Sequence, residues 1–384
     1  MRIAHVLTYI SADGAFGGPV AVLSEQTTEL ARRGHRVEVF AGWDGQVSLE
    51  LPGVDVHLFE TRQLLPMGFS GLVAPGLRRQ LLRRRGDFDV VHVHLARDLI
   101  TTPVAYALRG ADKPLLFLQP HGMVKPDRRP QGRVSDLVVR PTLAAAAGTF
   151  SLTDVDRERL LAVEPRTRIL DLPNGVSLPE VAPREDRARP EVLFLARLQP
   201  RKRVLLFAAA ARRLLSEGVD ADFVVVGPDE GDLPELTRLI TAWGLGERVR
   251  YEGSVPPGTG RDRIARADLY VLPSLQEPFP MSVLESLSTG TPTVISATCH
   301  IADRLGDAVA AFPEAPGGDD GAALATTLGT LLADDEERRA LGRRGRRAIE
   351  SAFSVGHVGD LLEHYYSGRA LGDRPGTESG GLAE

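Results

Sequence analysis

Glu277-Pro-Phe-Pro-Met-Ser-Val-Leu-Glu285-Ser-Leu-Ser-Thr-Gly-Thr-Pro292-Thr-Val-Ile-Ser296 follows an apolar run, Leu269-Tyr-Val-Leu272, that is short and bounded enough to be a buried strand. Pro278 and Pro280 forbid a helix through the first carboxylate, so Glu277 falls in a loop. The spacing predicts a helix from about Met281 or Ser282 that stops at Gly290, where glycine supplies the cap and Pro292 blocks continuation. Glu285 then lies one turn inside that helix. The helix tip at Met281 and Ser282 offers unpaired N–H groups and a positive dipole end, which suit an anion such as a diphosphate. Two carboxylates beside an anion site make sense when the ligand also has hydroxyls to hold, as a sugar nucleotide does.

Working outward, 384 residues are too many for one ordinary domain and fit two of roughly 150 to 200. At 43% hydrophobic and 25% charged, the chain reads as soluble and globular. A single cysteine, Cys299, allows no intramolecular disulfide and suits a reducing cytosol. The opening apolar run is too short for a signal peptide, and no segment reaches about 18 uninterrupted apolar residues, so a cytoplasmic protein is expected. The first 170 residues carry 22 basic and 18 acidic side chains and the rest 24 and 33, a mildly basic first half. A nucleic-acid partner would want a stronger basic stripe with interleaved aromatics, and aromatics are only 5% here.

The first half alternates strand and helix. A strand at about Ile3–Leu7, a loop holding Gly17 and Gly18, a helix from about Val20 to Arg33 and a strand at Val37–Phe40 open a doubly wound sheet. The glycine pair allows the backbone close to a ligand, but its spacing is not G-x-G-x-x-G, so a nicotinamide dinucleotide is poorly supported. A strand at Val54–Phe59, a helix at about Leu72–Arg85, strands at Val90–Val93 and Leu115–Leu118 and a helix at Leu99–Leu108 follow. Around Leu77–Arg85, leucines take one face and arginines the other, either a solvated helix or a surface that leans on anionic lipid. His92 and His94 point the same way on a strand, but no third ligand stands at a suitable spacing, so packing rather than a metal is expected. His121 sits in a loop at the carboxyl end of a strand, where open sheets bind ligands.

In the second half, Val192-Leu-Phe-Leu-Ala-Arg197 is a strand followed by an arginine, and Lys202 stands where a helix begins. Two cations beside one helix N-terminus make a phosphate site by charge, fork geometry and free N–H groups. Strands at Phe223–Val226, Val249–Glu252 and Thr293–Ser296, a helix at about Leu233–Trp243 and three closing helices at about Ala322–Leu332, Glu336–Phe353 and Val358–Tyr366 complete the pattern. The Asp87/Asp89, Asp154/Asp156 and Asp220/Asp222 triplets each fit a strand edge or helix cap, so none is taken as a metal motif.

The Glu277-x7-Glu285 spacing, with Pro-Phe after the first carboxylate and Gly-Thr-Pro before the next strand, resembles the signature of the retaining glycosyltransferases of family 4. Pro120-His-Gly-Met123, Pro173-Asn-Gly-Val176 and the Arg197-x4-Lys202 element are similar to further motifs of that family. The resemblance covers roughly residues 1–367 and implies an α/β chain of two facing Rossmann-like domains (GT-B) with the active site in the interdomain cleft. On that reading residues 1–176 form an acceptor-binding domain, 177–190 a linker, 191–354 a donor-binding domain, 355–367 a C-terminal helix and 368–384 a disordered tail. The resemblance puts Arg197 and Lys202 on the donor diphosphate, Glu277 and His121 on the donor sugar, Glu285 on the ribose and Gly17 and Gly18 against the diphosphate. His121, Arg197, Lys202 and Glu277 are the expected catalytic groups, and Met281 and Ser282 join the donor site through the helix tip.

The implied reaction moves a sugar from a nucleoside diphosphate sugar to a hydroxyl of a glycan, lipid-linked or small-molecule acceptor, with retention and without a metal or other cofactor. Peripheral contact with anionic membrane at its inner face and the oligomeric state stay open. The chain departs from the family at four places: Ser177 for the usual Asp, Arg203 for Gly, Pro280 for Gly, and Thr298-Cys299-His300 where a Gly-Gly pair and a Glu are common. The last two leave the donor sugar open. Three rivals share parts of the pattern. A nucleotide-sugar epimerase would need no acceptor, a glycoside hydrolase would have no purpose for Arg197 and Lys202, and a silent sugar-nucleotide binding protein would keep the site but not turnover.

Overall fold

Short apolar runs that alternate with helical periods become parallel strands buried on both faces, because each return to the same edge needs a crossover helix. In a computed structural model of the chain, which describes residues 1–10, 17–46, 49–180, 187–256, 258–314 and 320–368, two such sheets form. The chain divides into two units, Met1–Pro173 with the segment from Val355 onward, and Asn174–Ser354.

The first unit holds strands β1 (Arg2–Ile10), β2 (Arg36–Trp43), β3 (Val54–Glu60), β4 (Arg62–Gln63), β5 (Leu72–Val73), β6 (Val90–Val93), β7 (Leu115–Leu118), β8 (Gly148–Ser151) and β9 (Ile169–Asp171). Its helices are α1 (Gly17–Arg32), α2 (Leu77–Arg83), α3 (Thr101–Leu108), α4 (Pro130–Ala145) and α5 (Asp154–Val163). The main sheet runs β3-β2-β1-β6-β7-β8-β9, so strand order reverses between β1 and β6. Ligand-binding crevices open at such a switch point, beyond the carboxyl ends of the strands. Val6, Val91, Val93 and Leu118 pack with Leu77, Val104 and Leu143 on one side of the sheet.

The second unit holds β10 (Glu191–Leu195), β11 (Asp222–Val226), β12 (Val249–Tyr251), β13 (Leu269–Leu272), β14 (Thr293–Ser296) and β15 (Ala310–Phe312). With them come α6 (Val204–Ser216), α7 (Leu233–Ala242), α8 (Gly260–Ala265), α9 (Met281–Ser288), α10 (Ala302–Leu305), α11 (Asp320–Ala333) and α12 (Asp335–Ala348). The order β12-β11-β10-β13-β14-β15 reverses between β10 and β13. Val192, Phe194, Phe223, Val271 and Phe312 form its core with Phe207 and Leu214 of α6.

A single π-type turn at Ile349–Phe353 ends α12, and the Val176 N–H donates to the Phe353 carbonyl at 3.0 Å, so the two segments where the chain changes units run side by side. The last helix, α13 (Val355–Tyr366), belongs to the first unit. Its Val358, Leu362 and Tyr366 are buried with Ile3, Leu30, Phe117 and Phe150. Arg33 of α1 ties it down, donating to Asp360 and Glu363 at 2.7 Å each.

Several local expectations change. Leu72 and Val73 are not helical but pair antiparallel with Gln63 and Arg62, and Gly76 at φ 95° delays α2 to Leu77. Gly17 and Gly18 begin α1 instead of lying in the loop before it, and neither has positive φ. β15 and α10 were not foreseen; three- and four-residue elements give no periodicity to read. Lys202 ends a 3₁₀ turn, Pro200–Lys202, and α6 starts two residues later, after Arg203 in the left-handed region at φ 60°. Residues 181–186 of the expected linker and 369–384 of the expected tail lie outside the described residues.

Leu362 is fully buried in the cluster that joins α13 to the sheet. Truncating it removes apolar contacts and leaves a cavity, so Leu362→Ala is expected to lower stability by about 2–5 kcal/mol. Urea unfolding followed by circular dichroism checks this, and an unchanged midpoint contradicts the docking of α13.

Candidate active site

In the second unit the loops after β10, β13 and β14 converge. The carboxylate of Glu277, 8% exposed, receives Lys202 Nζ at 2.7 Å and lies 3.0 Å from Arg201 Nη1. Both contacts fall on Oε2, and Oε1 takes no partner among the described residues. Burial lowers the Lys202 ammonium below the ordinary lysine range, and the Glu277 charge works against that shift.

The backbone around Glu277 is held from two sides. Leu275 N–H donates to the Arg201 carbonyl at 3.0 Å, which sets the 3₁₀ turn beside the loop. Gln276 sits at φ 47°, with its N–H on Thr298 Oγ1 at 3.2 Å, and His300 N–H donates to the Glu277 carbonyl at 2.9 Å. Thr298-Cys299-His300, where the sequence leaves the family pattern, therefore anchors the catalytic candidate's main chain. Cys299 is buried against the same carbonyl, and burial pushes its thiol up to about 12, so it packs rather than reacts.

The helix tip forms as the spacing requires. Pro280 is the N-cap of α9 without a side-chain cap, so the Met281 and Ser282 N–H groups are left for a ligand, and Gly290 closes the other end at φ 75°. Tyr270, fully buried at the base of the tip, donates to the Leu195 carbonyl at 3.1 Å and lies 2.8 Å from Ser282 Oγ. Glu285 stands half-buried on the same helix, one turn on.

Arg197 is not joined to Lys202 by a direct contact. It is exposed and donates to Glu230 at 2.9 Å, although its charge bears on Lys202. Gly227 lets the Glu230 loop approach: a Cβ there would lie 1.9 Å from the Ala196 carbonyl oxygen. Arg203, in the glycine position of the family, holds its left-handed backbone while its guanidinium pairs with Glu314 at 2.8 Å.

In the first unit His121 follows β7 at φ 51°, with its Nε2 2.8 Å from His94 Nδ1. His94 Nε2 lies 3.2 Å from His5 Nδ1, and His92 Nδ1 lies 2.6 Å from the Tyr366 hydroxyl. His5 stands opposite His92 in the β1–β6 ladder and supplies the third imidazole that the sequence did not offer. His5, His92 and His94 bring ring nitrogens within 4.8 Å of one another, a spacing that invites a metal. The His92 and His94 planes, however, are only 9° apart with centroids 4.7 Å apart, so their in-plane lone pairs run side by side and do not meet on one ion. In the same unit a cavity of about 420 Å³ is lined by Met67, Phe69, Arg97, Met123, Lys125 and Arg129 among others. Arg97 is paired with Asp136 and Arg129 with Asp127, whereas Lys125 has no ion-pair partner among the described residues. Gly17 and Gly18 lie at the tip of α1, with open space where a Gly18 Cβ would stand.

Of the sequence candidates, Lys202, Glu277, Met281 and Ser282 come together around one switch point, with Arg197 at its rim. Arg201 was missed, since an arginine in a run of three basic residues carries no distinguishing signal. The Asp-x-Asp triplets do have structural partners: Asp89 accepts from Arg2 N–H, Asp156 from Leu152 N–H, and Asp220 and Asp222 from Arg248.

Comparison with known proteins agrees with the fold. The family described as Glycosyltransferase Family 4 matches residues 16–180, and that described as Glycosyl transferases group 1 matches residues 181–348. A D-inositol 3-phosphate glycosyltransferase of Salinispora tropica is 30% identical over 92% of this chain and 81% of its own length. An MMP alpha-(1->4)-mannosyltransferase of Mycolicibacterium hassiacum is 29% identical over 92% of this chain and 95% of its own. Among solved structures, the sucrose-phosphate synthase of Thermosynechococcus elongatus superposes with TM-score 0.74 at 19% identity, covering 97% of this chain and all 100% of that one. Anabaena HepE in complex with UDP gives TM-score 0.74 at 18% identity over 96% and 100%. The chain belongs to the family 4 glycosyltransferases and has the GT-B fold of two Rossmann-like domains. It is an enzyme, a glycosyltransferase.

Proposed function

We propose that the enzyme transfers a sugar, with retention of configuration, from a nucleoside diphosphate sugar held by the second unit to a hydroxyl acceptor recognised by the first. The observation that carries this reading is the Lys202–Glu277 pair beside the free N–H groups of α9. Lys202, Arg201 and Arg197 with the helix tip supply positive charge where a leaving diphosphate develops negative charge. The open Oε1 of Glu277 supports a hydrogen bond from a sugar hydroxyl, and Glu285 is suited to a ribose.

Among the described residues no protein base is well placed to take the acceptor proton. Glu277 is committed to two cations, and burial pushes His121 down to about 3 with its Nε2 already bonded. A leaving phosphate oxygen then takes the proton on the face it departs from, which gives retention. A metal has no required task in this scheme, because three cationic side chains and a helix N-terminus do its work.

The acceptor is the less constrained partner. Lys125, which has no ion-pair partner among the described residues, lines the cavity of the first unit and supports an acceptor that bears an anionic group such as a phosphate. The inositol phosphate named in the Salinispora relative is an acceptor of that class.

Screening nucleotide sugars by thermal shift and analysing products by mass spectrometry tests the reading directly; binding without product from any acceptor would leave only a binding protein. Lys202→Ala is expected to lower kcat on the order of 10²–10³-fold with the fold intact by circular dichroism. Because Lys202 must be protonated and its pKa is lowered, the rate falls on the alkaline side earlier than an ordinary lysine would cause; Lys202→Arg, always charged, removes that limb. Lys125→Ala should raise KM for a phosphorylated acceptor about tenfold and leave KM for the donor alone. Proton NMR of the product is expected to give the donor's own anomeric configuration, with turnover unaffected by a chelator; an inverted product or chelator sensitivity contradicts this mechanism.

A further inference from the structure

Three imidazoles in the first unit lie in one file. Between His94 and His121 the ring centroids are 5.1 Å apart, the planes 8° apart and the nearest nitrogens 2.8 Å apart. Between His5 and His94 the centroids are 5.5 Å apart and the nearest nitrogens 3.2 Å apart. In both pairs the nitrogens lie on the line joining the centroids, so each contact is end to end and in the ring plane, as a nitrogen lone pair requires. His5 and His94 are fully buried, and the far nitrogen of the file, His5 Nε2, is buried without a partner among the described residues.

A neutral imidazole carries one N–H, and both nitrogens of His94 are engaged, so one must donate and the other accept. The whole file therefore has two arrangements. In one, His121 Nε2–H donates inward to His94 and His94 Nε2–H donates to His5, which forces the proton of His5 onto Nε2, where nothing accepts it. In the other, His5 Nδ1–H donates to His94 Nε2, His94 Nδ1–H donates to His121 Nε2, and only a bare lone pair is left at the buried end. A buried N–H without an acceptor is the rarer and costlier defect. The second arrangement leaves His121 with its proton on Nδ1, the nitrogen that takes no partner among the described residues.

We propose that His94 and His5 are positioning residues that fix His121 as its Nδ1–H tautomer, so that it meets the bound sugar as a hydrogen-bond donor and never as a base. This rests on the reading that His121 faces the donor sugar. Besides the file itself, the charged and titratable groups on the elements around it are His92, which lies against His5, His94 and Tyr366, together with Arg97, Asp98 and Tyr366. Asp98 is engaged by Thr8 and by Thr101, Arg97 by Asp136, and Tyr366 by His92. Burial drives His5, His92, His94 and His121 all below the ordinary histidine range, which keeps the file neutral.

Long-range nitrogen–proton NMR of the full chain with ring-labelled histidine reads the tautomer, with the His121 signals assigned by their loss in His121→Gln. The expected wild-type result is a protonated Nδ1, a bare Nε2 and no titration between about pH 5.5 and pH 8. His94→Leu removes the donor without relieving the burial; His121 stays neutral but its Nε2 becomes free to carry the proton, and turnover falls on the order of tenfold. His94→Asn, whose amide can donate from the same place, restores the wild-type tautomer and turnover. A wild-type His121 protonated on Nε2 overturns the proposal even if no variant folds, as does a His94→Leu enzyme with unchanged tautomer and turnover. Unchanged turnover in His121→Ala, which has no donor, overturns instead the reading beneath it, whatever the spectrum shows.

Discussion

The second unit is built around an ion pair taken almost out of water, Lys202 Nζ on Glu277 at 2.7 Å. Burying both charges carries a desolvation penalty that only close geometry and further polar contacts offset. Those contacts are present: Arg201 adds a second cation, the Arg201 carbonyl takes Leu275 N–H, and Thr298 and His300 fix the main chain on either side of Glu277. Lys202 is thereby held at the mouth of α9, whose first N–H groups are unpaired. A dianionic ligand arriving there meets a cation already desolvated and oriented, and it does not have to order a flexible lysine for itself.

The first unit solves a different problem. Its switch point buries imidazoles with no acidic partner among the described residues, and His5, His94 and His121 are tolerated because they stay neutral and bond one another end to end. On the proposed reading, paired charge in one unit serves to stabilise a leaving anion, and neutral tautomers in the other serve directional hydrogen bonding. α13, which returns to the first unit and places Tyr366 on His92, links the terminal helix to that imidazole cluster.

Much of the scaffold was legible because fully buried parallel strands leave compact apolar runs. Val90–Val93, Leu115–Leu118, Leu269–Leu272 and Thr293–Ser296 fall where the sequence places them, and α9 begins and ends at its proline and glycine signals. What was not legible depends on pairing across distance or on backbone shape. His5 joins His92 only because β1 and β6 are neighbours, 87 residues apart, and neither strand announces its partner. The hairpin of β4 and β5 is held by two residues on each side, too few for a pattern. Arg203 occupies a left-handed position that composition would assign to glycine, with Glu314 holding its side chain from more than a hundred residues away. Arg197 was found, but its contact with Glu230 instead of Lys202 depends on the close approach at Gly227.

The most direct test is a crystal structure with a nucleoside diphosphate bound. The account requires the distal phosphate within hydrogen-bonding distance of Lys202 Nζ and of the Met281 and Ser282 N–H groups, with the nucleoside on the Glu285 side of α9. A diphosphate seated elsewhere, with Lys202 remote from it, would contradict the account.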